Sequence, residues 1–162
     1  MSLDLEIFVP RTMSQADHLV LDTFRKAVEV AQQHKEELDE DLFDVVRKFE
    51  WHHLDPIASA LTKVVVGDHN CTHNLNRLAS HLGVYTLLWG SQEPGGHLVT
   101  DEDIALLDKA IATLKSSYQD LIQFEPANKW GTVQGFLAFL EKIRMSVEEG
   151  RELGPVYFRS DT

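Results

Sequence analysis

The sequence predicts a mainly helical α+β domain. About four to five helices pack with a small two- or three-stranded sheet drawn from the N-terminus, the middle and the C-terminus of the chain. Three observations predict this class. Residues 3–9 alternate apolar and acidic side chains, the period-two pattern of a half-buried strand. Residues 104–121 repeat apolar residues at steps of three and four, the period of a packed helix. The chain has 162 residues, 43% hydrophobic and 25% charged, so one domain of 1–162 can bury roughly 70% of its unfolded surface without disulfides or metal.

Each element has a local cause. Leu3-Asp4-Leu5-Glu6-Ile7-Phe8-Val9 forms the first strand and stops at Pro10. Ser14 or Asp17 caps a helix running to about His34, with Val20, Phe24, Ala27, Val28 and Ala31 at helical spacing. Acids from Glu36 to Asp41 open a second helix, roughly 40–50, where the macrodipole favours them. Its inward stripe is Leu42, Val45, Val46 and Phe49. Asp55-Pro56 reads as an N-cap and a first-turn proline, opening a short turn to Leu61. The β-branched run Thr62–Val66 predicts a short strand ending at Gly67.

From Thr72 to Trp89, Leu75, Leu78, Ala79, Leu82, Tyr85 and Trp89 predict one helix, capped by Asn70 or Thr72. Residues 90–99, with Pro94-Gly95-Gly96, form a loop. Thr100 and Asp103 make a capping box for the next helix. A loop at 124–131 leads to a last helix from about Thr132 to Glu148, which Gly150 ends. Val156–Arg159 closes the chain as a short strand.

Charge and cysteine content bound the function. The formal net charge is −11, from 26 Asp+Glu against 15 Lys+Arg. That field repels polyphosphate and anionic lipid, so no nucleic acid and no membrane partner is expected. A basic partner remains compatible with it. Residues 1–50 carry 12 acids and 6 Lys+Arg, a net −6; the rest carry 14 and 9, a net −5. One cysteine, Cys71, allows no intrachain disulfide and fits a reducing, cytoplasmic location. No basic opening segment with an apolar stretch, and no membrane-span run, is present.

Two strings stand out. The first is Asn70-Cys71-Thr72-His73-Asn74-Leu75, continuing to Gly83-Val84-Tyr85 and Leu88-Trp89. The second is Glu125-Pro126-Ala127-Asn128-Lys129-Trp130-Gly131 with the helix behind it. Together they resemble an uncharacterised family of bacterial and phage-associated proteins, whose helix reads N-x-T-H-N-L and whose loop reads N-P-x-N-G-W-G. Glu125 and Lys129 depart from the family's Asn and Gly, and Leu78 replaces its usual Met. The resemblance covers about 62–162, and 1–61 is divergent. It implies a domain class and no established activity. A glycine in that loop would serve a positive φ.

His52, His53, His69 and His73 cluster in sequence, and His69 and His73 are four apart. A cap between them breaks the shared helix face, so no metal and no cofactor is expected. A Cys71–His73 nucleophile pair would need a helix-start thiolate and a second base. Asn70, Thr72 and Asn74 can accept from first-turn amides. Asn128 and Trp130 mark a second helix start. If both starts share one side of the domain, Asn70, Thr72, His73, Asn74, Trp89, Asn128 and Trp130 line a polar, aromatic-walled cleft. Against that stands a core or hinge role for Trp89 and Trp130.

With no catalytic residue assigned, the expected function is a non-catalytic binding or interaction protein: an accessory, defence-related or immunity-like factor. The alternative is a small ligand-binding protein or enzyme using the cleft at the two helix starts. A metal-dependent hydrolase ranks last.

Overall fold

The computed structural model describes residues 2–162. Their contacts divide the chain into two compact units. One is Arg11–Val64; the other joins the opening strand, up to Pro10, to Val65–Thr162.

The Arg11–Val64 unit is helical. Helix α1 (Gln15–Gln33) starts at a reciprocal capping box: Ser14 Oγ accepts from the Asp17 amide at 3.1 Å, and Asp17 accepts from the Ser14 amide at 2.9 Å. Helix α2 (Glu40–Phe49) is capped by Asp39, which accepts from the Asp41 amide. The chain does not leave helical geometry at Asp55, as the sequence predicted. A π turn (Glu50–Leu54), closed by the Asp55 amide on the Glu50 carbonyl five residues back, runs directly into α3 (Asp55–Thr62). Pro56, which has no amide to give, sits in the first turn after this change of winding. The Arg11 amide bonds the Thr62 carbonyl at 2.8 Å and ties the ends of the unit.

Leu21, Val28 and Leu54 are buried, bordered by Met13, Val46, Phe49, Ala58 and Leu61. The expected stripes are only partly used. On α1 the buried line is Leu21–Val28, seven residues apart, while Val20, Phe24 and Ala27 stay exposed on the neighbouring line. On α2, Leu42 and Val45 are exposed and no residue is fully buried. The apolar arcs of these helices are wider than the surface that covers them.

The other unit is an α+β sandwich of helices on a four-stranded sheet. Strands β1 (Ser2–Pro10), β2 (Lys63–Thr72), β3 (His97–Leu98) and β4 (Tyr157–Asp161) lie in the order β2-β1-β4-β3. β1 and β4 pair antiparallel with Ile7 opposite Phe158, and β3 joins β4 through His97 and Leu98. The first and last strands therefore share one sheet, as their patterns predict. Two details differ. β2 continues through Gly67 to Thr72, and residues 97–98 of the predicted loop add a fourth, edge strand.

Gly67 carries no side chain because the Ser146 hydroxyl lies where its Cβ would be: the two would be 2.5 Å apart. A strand pressed that closely onto a helix has reason to hold a glycine without ending there.

Helix α4 (Asn76–His81), helix α5 (Tyr85–Trp89), α6 (Asp101–Ser116), α7 (Tyr118–Leu121) and α8 (Val133–Leu153) complete the unit. The predicted helix at 72–89 is broken at Gly83, whose φ is +76°. α6 opens at the predicted Thr100–Asp103 capping box. α8 runs through Gly150 instead of ending there; a Cβ at Gly150 would come within 2.8 Å of Val156 Cγ2. The glycine serves close packing, not termination. Leu3, Leu5, Ile7, Val9, Val156 and Phe158 from the sheet meet Phe136, Leu140, Ile143 and Val147 of α8 and Leu107 and Leu114 of α6 in one core. No helix among the described residues is long and apolar enough to cross a membrane.

Candidate functional site

The end of β2 turns sharply into a single 3₁₀ turn (His73–Leu75) and then α4. Thr72 is the cap. Its Oγ1 accepts from the Asn74 amide at 3.4 Å and from Asn74 Nδ2 at 3.2 Å. Asn70 is not a cap. It lies in β2 with an exposed side chain, and its Nδ2 donates to the Asp4 carboxylate on the next strand. The strand reaches Thr72, five residues beyond the expected end at Gly67, so the polar string straddles a strand end instead of lying wholly on a helix start. With only a 3₁₀ turn and six residues of α4 behind it, this start carries little of a helix dipole.

His73 and Trp89 form one unit of packing. Trp89 is 3% exposed and stacks on Tyr85 at 5.3 Å between centroids. Its Nε1–H donates to His73 Nδ1 at 3.1 Å. An indole nitrogen can only donate, so Nδ1 must be the accepting nitrogen and neutral His73 carries its proton on Nε2. A metal on Nε2 would need the opposite tautomer, which sets two N–H groups against each other. Trp89 is a core residue.

The second string has its own geometry. Asn128 Oδ1 accepts from the Trp130 amide at 3.0 Å, and Lys129 between them has φ +57°. The Lys129 backbone is in the left-handed conformation that glycine favours. Trp130 is 71% exposed and is not a core residue. Gly131, at φ +122°, lies against the first string: its Cβ would be 2.8 Å from Leu75 Cγ and from Thr72 Cγ2. Thr132 then caps α8, accepting from the Gly135 amide at 2.9 Å. Glu125 accepts from the Val133 amide at 2.8 Å. A carboxylate in that position suits the positive end of a 21-residue helix.

The two strings therefore meet. A shallow cavity of about 300 Å³ lies between them, lined by Asn70, Thr72, Leu75, Gly131, Thr132 and Phe139 among others. Its chemistry is modest. Two first-turn amides of α8 are already held by the chain's own oxygens. Cys71, also on the wall, is buried, and burial pushes its thiol up to about 12 against a weaker lowering by the Thr72 backbone bond. A thiol held there is not a thiolate nucleophile at neutral pH.

The other histidines have separate addresses. His69 is in β2, with Nε2 2.9 Å from Ser146 Oγ of α8. Burial, then the positive charge of Lys142, holds its pKa below the ordinary value against the opposing pull of Asp68. His52 and His53 are exposed in the π turn, His53 5.6 Å from the Phe49 ring. Among the described residues, no three His, Cys, Asp or Glu side chains converge as a metal site would need.

Two features were not legible as sites in the sequence. The solvent face of the sheet is a depression of about 450 Å³ with Asp4, Glu6, Asp68 and Asp161 around Arg159. Strand register places Glu6 opposite Arg159 but Asp4 opposite Asp161. Alternation predicts outward acids; only register shows which ones meet. The second feature is the set of exposed apolar side chains on Arg11–Val64: Leu19, Val20, Phe24, Val30, Leu42, Val45 and Trp51. Against known proteins, no family model, no curated protein and no solved structure matches the chain.

Proposed function

We propose that this chain is a non-catalytic interaction protein that binds a basic protein partner. The observation that carries the reading is the Arg11–Val64 unit. It leaves two amphipathic helices with Leu19, Val20, Leu42 and Val45 in solvent, Val45 at 61% exposure. Exposed apolar side chains clustered on helices are the surface a partner covers. The sign of the partner follows from charge: the unit carries 11 acids against 7 Lys+Arg, and the whole chain is at −11. The buried thiol, the committed His73 nitrogen and the capped α8 amides all weigh against a catalytic role for the predicted cleft. An accessory or immunity-like role fits such a surface.

The test is a thermal-shift series with the full chain. A short lysine–alanine peptide raises Tm, while nucleotides and a glutamate–alanine peptide do not. A rise with nucleotides and none with the basic peptide contradicts the reading. A second reading, a small ligand in the cleft beside Gly131, is favoured by the meeting of the two strings there. Under it, a ligand from a small-molecule screen would stabilise the wild type and lose that effect in Asn70→Ala, whose exposed side chain lines the cavity, with the variant's own stability little changed.

A further inference from the structure

Between α1 and the junction of α2 with the π turn lies a cavity of about 210 Å³, lined by Gln32, Phe43, Val46, Arg47, Glu50 and Trp51. Phe43, Val46 and Trp51 make its walls apolar. Glu50 supplies a half-buried carboxylate, which accepts from Gln32 Nε2 at 3.1 Å and forms no ion pair among the described residues. Arg47 also lines the cavity, and Asp44 offsets its charge. Arg47 and Lys48 both reach Asp44, at 3.3 and 2.7 Å. Arg47 also lies over the Trp51 ring at 5.1 Å, and Lys35 over Phe43 at 5.2 Å. The chain thus already seats a cation against each ring. Trp51 remains 57% exposed at the rim.

The winding changes at this place. Glu50 and Trp51 are the first two residues of the π turn, a rare geometry that is found disproportionately at functional sites. The volume decides the size of the occupant. Small-molecule sites typically run to about 300–1,000 Å³, so this cavity suits one long side chain better than a whole ligand.

The carboxylate decides the charge. An anion would be repelled by Glu50. A purely apolar side chain would seal Glu50 from water with only a neutral amide as partner, which is costly. A side chain with an apolar stem and a cationic head satisfies both walls and base.

We propose that this cavity receives a lysine or arginine side chain of a basic peptide segment. The stem lies against Phe43, Val46 and Trp51, and the charged head pairs with Glu50. This deepens the interaction reading above and rests on it.

The experiment measures Kd of a fluorescein-labelled lysine–alanine peptide for the full chain by anisotropy. The same peptide with acetylated lysines is the charge-free control. Glu50→Gln, which keeps size and the Gln32 contact, and Trp51→Ala are compared with the wild type, with circular dichroism checking their helix content. The wild type binds the cationic peptide and not the acetylated one, and each variant weakens binding at least tenfold. If both variants bind as tightly as the wild type, the partner reading stands and this cavity is not its seat. If the wild type binds neither peptide, the reading and the cavity fall together.

Discussion

Replacing Gly131 by alanine tests how the second string is held. Two costs add. A non-glycine residue at φ +122° carries strain of about 1–3 kcal/mol. The new Cβ would also lie 2.8 Å from both Leu75 Cγ and Thr72 Cγ2, and overpacking of that kind costs about 1–3 kcal/mol. Leu75 is buried and Thr72 is tied to Asn74, so neither gives way freely. The sum, about 2–6 kcal/mol, is a large part of a domain's total stability. Because the chain has two units, a single melting curve mixes them. Native-state hydrogen exchange at the slowest amides of α8 reads this unit alone. Those amides should exchange about 30-fold to roughly 10⁴-fold faster, at about 1.4 kcal/mol per factor of ten. Lys129→Gly is the paired control. It relieves a left-handed lysine and should leave exchange equal or slower, because the strain removed is comparable to the entropy that glycine adds. A Gly131→Ala protein whose α8 amides exchange within threefold of wild type would refute the docked loop.

The remaining predictions follow from the same geometry. Gly150→Ala should destabilise the sheet unit by about 1–3 kcal/mol, although alanine normally strengthens a helix, because its Cβ meets Val156; chemical denaturation checks the sign. His69 has its pKa lowered in the fold from its ordinary 6.5, so the unfolded chain takes up the proton first. The stability His69 confers is complete above pH 6.5 and is lost as pH falls through the lower folded value; denaturation curves of wild type and His69→Asn should converge in shape only if this is wrong. Cys71, with its thiol pushed up to about 12, should resist iodoacetamide in the native protein and react fully in denaturant, which mass spectrometry reads directly.

The sequence carried the fold class because its strongest periods were local. The alternation at residues 3–9, the Thr100–Asp103 box and the 104–121 seam each specify an element without reference to anything distant. Four misreadings share a different cause. Gly67 and Gly150 looked like stops, yet each is a glycine because another segment, Ser146 or Val156, presses against it. Asn70 looked like a cap because the strand's extension to Thr72 depends on pairing with β1. Asp55 looked like a cap because a π turn leaves no mark in a single sequence, although α3 does begin there with Pro56 in its first turn.

The cleft was legible in part. The Thr72 cap and the turn around Lys129 are local, whereas the contact between their two strings depends on tertiary packing of Gly131 against Thr72 and Leu75. The Trp89–His73 bond and the Glu125 cap depend on tertiary placement and had no signal. The cavity at Glu50 and Trp51 was invisible for the same reason: Gln32 comes from another helix. The exposure of Val20 and Leu42 was hidden by a rule that assigns every apolar stripe to the core, when a helix with a wide apolar arc can face both a core and a partner.

The claim that a basic partner recognises this acidic chain is tested most directly by calorimetric titration of the full protein with the lysine–alanine peptide at low and at high salt. The account predicts saturable binding whose Kd weakens as salt rises, with no heat from the glutamate–alanine peptide. Equal binding of both peptides, or an affinity for the basic one that salt does not change, would contradict it.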